Sequence, residues 1–319
     1  MSRSVEVTTG SRLHFGPLAC GGGEGRRFGG IGVMLAEPAC RVRATRAEAD
    51  EIQAEAGDTG RVREILDRVR SQLGQKAGVR IDVLAAIPPH RGLGSGTQLS
   101  LAVAEAVATL FDARPDSAAG RARLGHRGER SAIGLHGFDE GGFLVDAGKT
   151  PEEAIGTLAC RAAVPAEWRF VLACRRTTVG LSGESERAAF ARLPPMAEAL
   201  SNRLARIVLA ELLPALRAGD CRVFAGGLSE YGRLVGTYFA PVQEFPFSDG
   251  RAWGYSEARR QAGKTGLVQT SWGPTVSLCC ESEVVAEREA VEIGRQLGSD
   301  YEVSIAAPLN EGAEVQIVP

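Results

Sequence analysis

"PPHRGLGSGTQLSLAVAEAVATLF", residues 88–111, sets three glycines, two hydroxyls and an amide directly ahead of a long apolar-faced segment. Before it, "GVRIDVLAAIPP" carries Val79, Ile81 and Val83 on one face, the alternation of a strand. After it, Leu99, Val103, Ala106, Val107 and Leu110 recur at helical spacing. The order is strand, glycine loop, helix. A helix opened this way offers unpaired backbone N–H groups and the positive end of its dipole. That suits phosphate. Gly92, Gly94 and Gly96 let the backbone curl around an anion, while Ser95 and Thr97 add hydroxyls for the anion or a metal. Glycine-rich strand–helix turns also arise from close packing alone.

Two better-known phosphate patterns fail. The dinucleotide fingerprint needs G-x-G-x-x-G, and "GLGSGT" brings its third glycine one residue early, behind Pro88-Pro89. "AGKTP" and "AGKTG" resemble the tail of a P-loop, but Phe143 and Ala258 stand where that motif requires its first glycine.

Working outward, "SVEVTTGSRLHFGPL" alternates and breaks at Gly10 and Gly16, a first strand leading to a loop. The glycine-dense "CGGGEGRRFGGIGVML" follows, suited to a flexible hairpin or to close approach of a ligand. "CRVRATRA" alternates as a second strand, and "GRVREILDRVRSQLG" has the stripe of an amphipathic helix ended by Gly74. Past residue 150 the pattern restarts. "WRFVLACRR" reads as a strand, a long helix covers "MAEALSNRLARIVLAELLPALRAG", and a shorter helix follows Asp220. Strands recur at "TGLVQTSWGPTVSLCCE" and "YEVSIAAP" around the helical "EVVAEREAVEIGRQLG". We expect two domains, residues 1–160 and 161–319.

The chain's 319 residues include 44% hydrophobic and 24% charged residues, an ordinary globular balance. A formal net charge of −2 supplies no field for nucleic acid or an anionic membrane, and 6% aromatics offer no stacking platform. Only Lys76, Lys149 and Lys264 among the 37 basic residues are lysines, so any phosphate or carboxylate grip falls to arginine. Seven cysteines without a C-x-x-C pair argue against disulfides or zinc and for a reducing compartment. Cys279 and Cys280 should face opposite sides of a strand. No apolar run reaches signal-peptide or membrane-spanning length, so we expect a cytoplasmic protein. Of four histidines, His14 and His90 adjoin glycine loops, and His90 sits beside Arg91, a setting for a multiply charged anion.

"PPHRGLGSGTQ" resembles the phosphate loop of the GHMP kinases, which read roughly P-x-x-x-G-L-G-S-S, and "GLVQTSWGPTVSLCCE" resembles their third motif. The resemblance implies an α+β fold of two domains: an N-terminal ribosomal-S5-like α/β domain holding the loop, and a C-terminal ferredoxin-like α+β domain. Kinases of this group commonly orient the acceptor alcohol with an aspartate in a segment like S-G-x-D. The matching stretch, "GERSAIGLHGFDEGGFLVD", has Gly134 there, with Asp139, Glu140 and Asp146 downstream at different spacing.

One branch matches over nearly the whole chain. "SRLHFG", "GLGSGTQLSLAVAEA", "RSAIGLHGFDEGGFLVDAG", "GLSGESERAAF", "YFAPVQ" and "QTSWGPT" together resemble the β-ribofuranosylaminobenzene 5′-phosphate synthases. That resemblance implies a decarboxylating phosphoribosyl transfer in methanopterin biosynthesis. 5-Phosphoribosyl 1-diphosphate (PRPP) and 4-aminobenzoate or 4-hydroxybenzoate would give a C-riboside phosphate, CO2 and diphosphate. It further implies Mg2+ chelated by the diphosphate with help from Ser95 or Thr97, and a homodimer. PRPP is expected on Gly92, Leu93, Gly94, Ser95, Gly96, Thr97 and Gln98, flanked by His14 and His90. Arg12 and Arg91 are candidates for the benzoate carboxylate, and Glu140, Asp139 or Glu184 for the para substituent. Gln243, Gln269, Ser271 and Trp272 would line the pocket. An ATP-dependent small-molecule kinase is the alternative.

Overall fold

The computed structural model describes residues 3–21, 25–55, 58–181 and 183–318. β1 (Ser4–Ala19) and β2 (Phe28–Ala47) form a long antiparallel pair. The glycines expected to break β1 do not end it. They shift its register between Thr9 and Ser11 and between His14 and Pro17, so the strand bends twice and continues. The glycine-dense stretch supplies the start of β2, where a Cβ on Gly30 would lie 2.6 Å from the Gly16 carbonyl oxygen. Gly22, Gly23 and Glu24 of that stretch lie outside the described residues.

β3 (Glu51–Gln53), α1 (Thr59–Leu73) and β4 (Gly78–Ala85) make a crossover in which β3 and β4 pair in parallel. α1 buries the expected stripe of Val62, Ile65, Leu66 and Val69, and Gly74 ends it in the left-handed region at φ 64°. α2 (Ser95–Leu110) follows the glycine loop and is buried all round from Gln98 onward, not on one stripe. It is the central helix, with β1 and β2 on one side and α1 on another. α3 (Ala118–Gly125), α4 (Ile133–Glu140), β5 (Phe143–Asp146) and β6 (Leu158–Ala162) complete this half, β5 pairing with both β2 and β6.

β7 (Arg169–Arg175) opens a second sheet, followed by α5 (Gly183–Arg192) and α6 (Glu198–Ile207). The long helix expected next is interrupted by a π turn at Val208–Leu212 before α7 (Leu213–Ala218). The helix after Asp220, expected to be the shorter, is the longer. α8 spans Cys221–Gln243, with the Asp220 carboxylate accepting from the Val223 N–H at 3.0 Å. Its glycines serve packing: a Cβ on Gly232 would meet Val268 Cγ2 at 2.3 Å, and one on Gly236 the Pro246 carbonyl oxygen at 2.3 Å.

α9 (Gly250–Gln261), β8 (Val268–Gln269), β9 (Val276–Cys280), α10 (Glu283–Leu297), β10 (Tyr301–Ala306) and β11 (Glu314–Val318) end the described chain. The four-stranded antiparallel sheet runs β10-β7-β9-β8. The chain changes sheet between Ala162 and Arg169, then returns, since β11 pairs with β1 and makes the first sheet seven-stranded. The fold is thus α+β with two sheets. Cys279 packs in the larger core and Cys280 in the smaller one, on opposite faces of β9, and none of the seven cysteines is in a disulfide. Among the described residues no helix is long and apolar enough to cross a membrane.

Candidate active site

Between the two halves lies a cavity of about 1020 Å³, and the glycine loop forms its floor. Gly92 and Gly94 hold φ values of 77° and 80°, which only glycine adopts without strain, and Gly94 sits at the N-cap of α2 with no side chain to cap it. The Gly94 carbonyl accepts from the N–H groups of Thr97 and Gln98, so the free amides of the first turn face outward. Gly92, Gly94, Ser95, Gly96 and Thr97 all line the cavity.

Gln98 does not. Its buried amide donates to the Gly134 carbonyl at 2.9 Å and accepts from the Thr9 hydroxyl at 2.8 Å, tying α2 to α4 and β1 beneath the loop. Leu93 also points inward to the core, while its carbonyl accepts from the Arg12 N–H at 3.0 Å.

Each glycine of the loop makes room for a different neighbour. A Cβ on Gly92 would lie 2.3 Å from Thr270 Oγ1, one on Gly94 2.7 Å from Arg12 Cγ, and one on Gly96 2.0 Å from Arg61 Nη2. Arg12 rises from β1 across the start of α2, and its side chain has no hydrogen bond or ion pair among the described residues. Burial pulls its pKa below the ordinary arginine value, with the Glu186 carboxylate opposing. It is available.

A Cβ on Gly134 would lie 3.1 Å from Thr97 Cγ2 and 3.4 Å from Arg12 Nε. Where an alcohol-orienting aspartate was expected for a kinase, the nearest charged group is therefore a cation. The downstream carboxylates do not replace it. Asp139 is paired with Arg121 at 2.6 Å, Glu140 is exposed at the end of α4, and Asp146 accepts from the Ala132 and Gly148 N–H groups, each at 2.8 Å. None of the three lines the cavity.

His14 lines the wall beside Arg12, its Nε2 3.4 Å from the Ser131 hydroxyl. Burial first, then the Arg12 charge, pushes its pKa down to about 3, so it is neutral at physiological pH. His90, with φ 58°, also lines the cavity, and its carbonyl accepts from the Gly180 N–H at 2.8 Å.

Arg91 turns the other way. Its guanidinium donates to the carbonyls of Arg175 at 2.7 Å and Arg176 at 3.1 Å, capping the end of β7, so it is not free for a carboxylate. The expected acceptor Glu184 is exposed on α5 and absent from the lining. Glu186 takes that place, because residues two apart on a helix point to different sides. Glu186 pairs with Arg130 at 2.5 Å, and Arg130 lies over the Phe190 ring.

The turn between β8 and β9 supplies the aromatic wall. Trp272 stacks on Phe239 at 4.0 Å and meets the edge of Phe190 at 5.2 Å, so it is both core and lining. Ser271, at φ 46°, lines the cavity beside it. Gln269 holds the turn without lining: its amide oxygen accepts from the Ser248 N–H at 2.6 Å and its nitrogen donates to the Ser271 carbonyl at 2.7 Å. Gln243 donates to the Pro246 carbonyl at 2.8 Å, away from the cavity. Two buried polar atoms on this turn, Thr270 Oγ1 and Trp272 Nε1, have no partner, and both residues line the cavity.

The lining residues that sequence reading missed are chiefly Arg61, Arg127, Arg130, Glu186 and Phe190. Arg61 lies on the polar face of an amphipathic helix, where arginine reads as solvated. A usable signal lay in two family-like segments: "RSAIGLHGFDEGGFLVDAG", which opens at Arg130, and "GLSGESERAAF", which holds Glu186 and Phe190.

Residues 60–144 match the family model for the GHMP kinases N terminal domain. A curated β-ribofuranosylphenol 5′-phosphate synthase of Methanothermobacter thermautotrophicus is 30% identical over 290 residues, 85% of this chain and 87% of that protein. The chain belongs to the β-ribofuranosylphenol 5′-phosphate synthase family. The family's member from Archaeoglobus fulgidus is 27% identical over 98% of this chain and 100% of its own length. Solved structures place the family in the GHMP kinase fold. Homoserine kinase from Cytophaga hutchinsonii matches with a TM-score of 0.66 at 16% identity, over 98% of this chain and 97% of its own. Mevalonate diphosphate decarboxylase from Enterococcus faecalis matches with a TM-score of 0.69 at 15% identity over the full length of both. At such identities these two speak for the fold alone.

Proposed function

We propose that this chain is a decarboxylating pentosyltransferase that joins PRPP to 4-hydroxybenzoate, giving β-ribofuranosylphenol 5′-phosphate, CO2 and diphosphate, a step of methanopterin biosynthesis. The name shared by its relatives is that of a phenol, which favours the hydroxy over the amino acceptor for this chain. The single observation that carries the reading is the pairing of Gly134 with Arg12. At the position where a kinase activates its alcohol, this site offers an unpaired cation beside the phosphate loop.

In this reaction the bond from ribose C1 to the diphosphate oxygen breaks, and positive charge develops on C1. Stabilising the departing diphosphate is the main catalytic task. The outward amides of the α2 N-terminus, the hydroxyls of Ser95 and Thr97, and the Arg12 guanidinium are the groups for it. The ring lies against Trp272 and Phe190, an apolar wall that suits a benzoate. The ring carbon bearing the carboxylate bonds to C1, pushed by the para oxygen. The bond to the carboxylate carbon then breaks, its electron pair restoring aromaticity as CO2 leaves. A neutral His14 neither repels the cationic C1 nor competes with Arg12 for the anion.

Mg2+ commonly binds through substrate phosphates with few protein ligands. The hydroxyls of Ser95 and Thr97 at the loop fit a Mg2+ that arrives on the diphosphate. Bound there, it would supply further charge neutralisation for the leaving group.

The test mixes protein, Mg2+, PRPP and carboxyl-labelled 4-hydroxybenzoate and counts released CO2. Stoichiometric CO2 and diphosphate are expected. ATP turnover on an alcohol, without CO2 from either the hydroxy or the amino benzoate, would replace this reading with the kinase one.

A further inference from the structure

We propose that Arg61 and Arg127 form a second anion seat at the Gly96 end of the loop, which takes the 5-phosphate monoester of the pentose. The Gly94 end and Arg12 take the leaving diphosphate. The proposal rests on the phosphoribosyl reading above and adds which residues recognise the unreactive end of the sugar.

The first ground is Gly96 itself. It stands in the first turn of α2 without a positive φ, so its backbone gives no reason for glycine, and glycine is a poor helix former. What it makes room for is the approach of Arg61: a Cβ there would lie 2.0 Å from Nη2 of that guanidinium, with Nη2 of Arg127 in ordinary contact at 3.6 Å. The missing side chain lets Arg61 reach the helix N-terminus beside Arg127.

The second ground is that these cations are under-compensated. Arg127 donates through Nη2 to the Gly96 carbonyl at 3.0 Å, while its Nε is buried with no partner. Among the described residues the one carboxylate paired with Arg61 is Asp58, at 3.9 Å, beyond hydrogen-bond distance. Arg68 adds a third positive charge behind them, engaged with the Ser100 hydroxyl and the Gly125 carbonyl. Burial, then Arg61 and Arg68, lower the pKa of Arg127 to about 10, against the opposing pull of Glu129. Glu55, Asp58 and Glu129 also line the cavity, and Asp58 beside Arg61 and Glu129 near Arg127 temper the charge. Guanidinium forks crowded beside free helix amides match a phosphate monoester.

The third ground is order along the loop. Gly92 abuts the Thr270–Gly273 turn that carries Trp272, Gly94 abuts Arg12, and Gly96 abuts Arg61 and Arg127. C1 must react beside the aromatic wall, so the group that takes no part in bonding belongs at the far end of the row.

The experiment is calorimetric titration of the wild-type chain, Arg127→Gln and Gly96→Ala, each with ribose 5-phosphate and separately with diphosphate plus Mg2+. Both variants are expected to weaken ribose 5-phosphate about ten- to a hundredfold and to change diphosphate by less than about threefold. Gly96→Ala removes no charge and favours the helix, so its selective loss would report displacement of Arg61 and not misfolding. Loss of diphosphate affinity with ribose 5-phosphate untouched, or no change in either, overturns the seat. A wild-type chain that binds neither ligand fails at the phosphoribosyl reading itself.

Discussion

Replacing Gly134 by aspartate restores the residue a kinase of this fold commonly carries, and the structure says what that charge would do here. The new Cβ would sit 3.4 Å from Arg12 Nε, so the carboxylate reaches the guanidinium at a separation of about 4 Å. At an effective dielectric constant of about 20 the attraction is about 4 kcal/mol, and opening of the cavity to water halves it to about 2 kcal/mol. An Arg12 engaged in that pair is lost to the incoming anion. Diphosphate affinity should therefore fall about thirtyfold. Contacts of 3.1 Å to Thr97 and 3.5 Å to Gln98 add a steric cost common to any side chain, which Gly134→Ala and Gly134→Asn measure without charge. Calorimetry with Mg2+-diphosphate on the three variants separates the two effects. If asparagine weakens binding as much as aspartate does, crowding and not charge is responsible, and the role given to Arg12 is refuted.

Three further outcomes are expected. Ser95→Ala should weaken PRPP about three- to tenfold, the worth of one hydrogen bond, and leave 4-hydroxybenzoate unchanged; equal losses in both would remove the hydroxyl from the phosphate site. Phe190→Leu, which removes the edge contact to Trp272 at 5.2 Å, should raise KM for the benzoate up to about tenfold with KM for PRPP unaltered, checked by steady-state kinetics. His14 has a folded pKa of about 3 against 6.5 unfolded, so below pH 6.5 the unfolded chain binds more protons and stability falls as pH drops towards 3. Urea unfolding at several pH values should show His14→Gln escaping up to about 1.4 kcal/mol of this loss per pH unit, and parallel curves for the two proteins would contradict a buried neutral imidazole.

The strand, glycine loop and helix were legible at once, because each is written in contiguous residues whose spacing matches a backbone period. The family-like late turn was legible for the same reason. α8 runs longer than expected, with Gly232 and Gly236 inside it admitting Val268 and Pro246. The glycine-loop residues other than Leu93 and Gln98 line one cavity, along with Arg12, His14, His90, Ser271 and Trp272. Arg91 and Glu184 were not, since a side chain beside a motif can point to either side of it, and only packing chooses.

By itself, the sequence determined that a glycine loop opens a helix and that no kinase-type aspartate follows Ser131-Ala132-Ile133. Tertiary structure alone decided which charges surround that helix N-terminus. Arg12, Arg61, Arg127 and Glu186 come from a strand, two helices and a loop spread across more than half the chain, and no local period relates them. Electrostatic contacts act through space, while sequence patterns report only what repeats along the backbone.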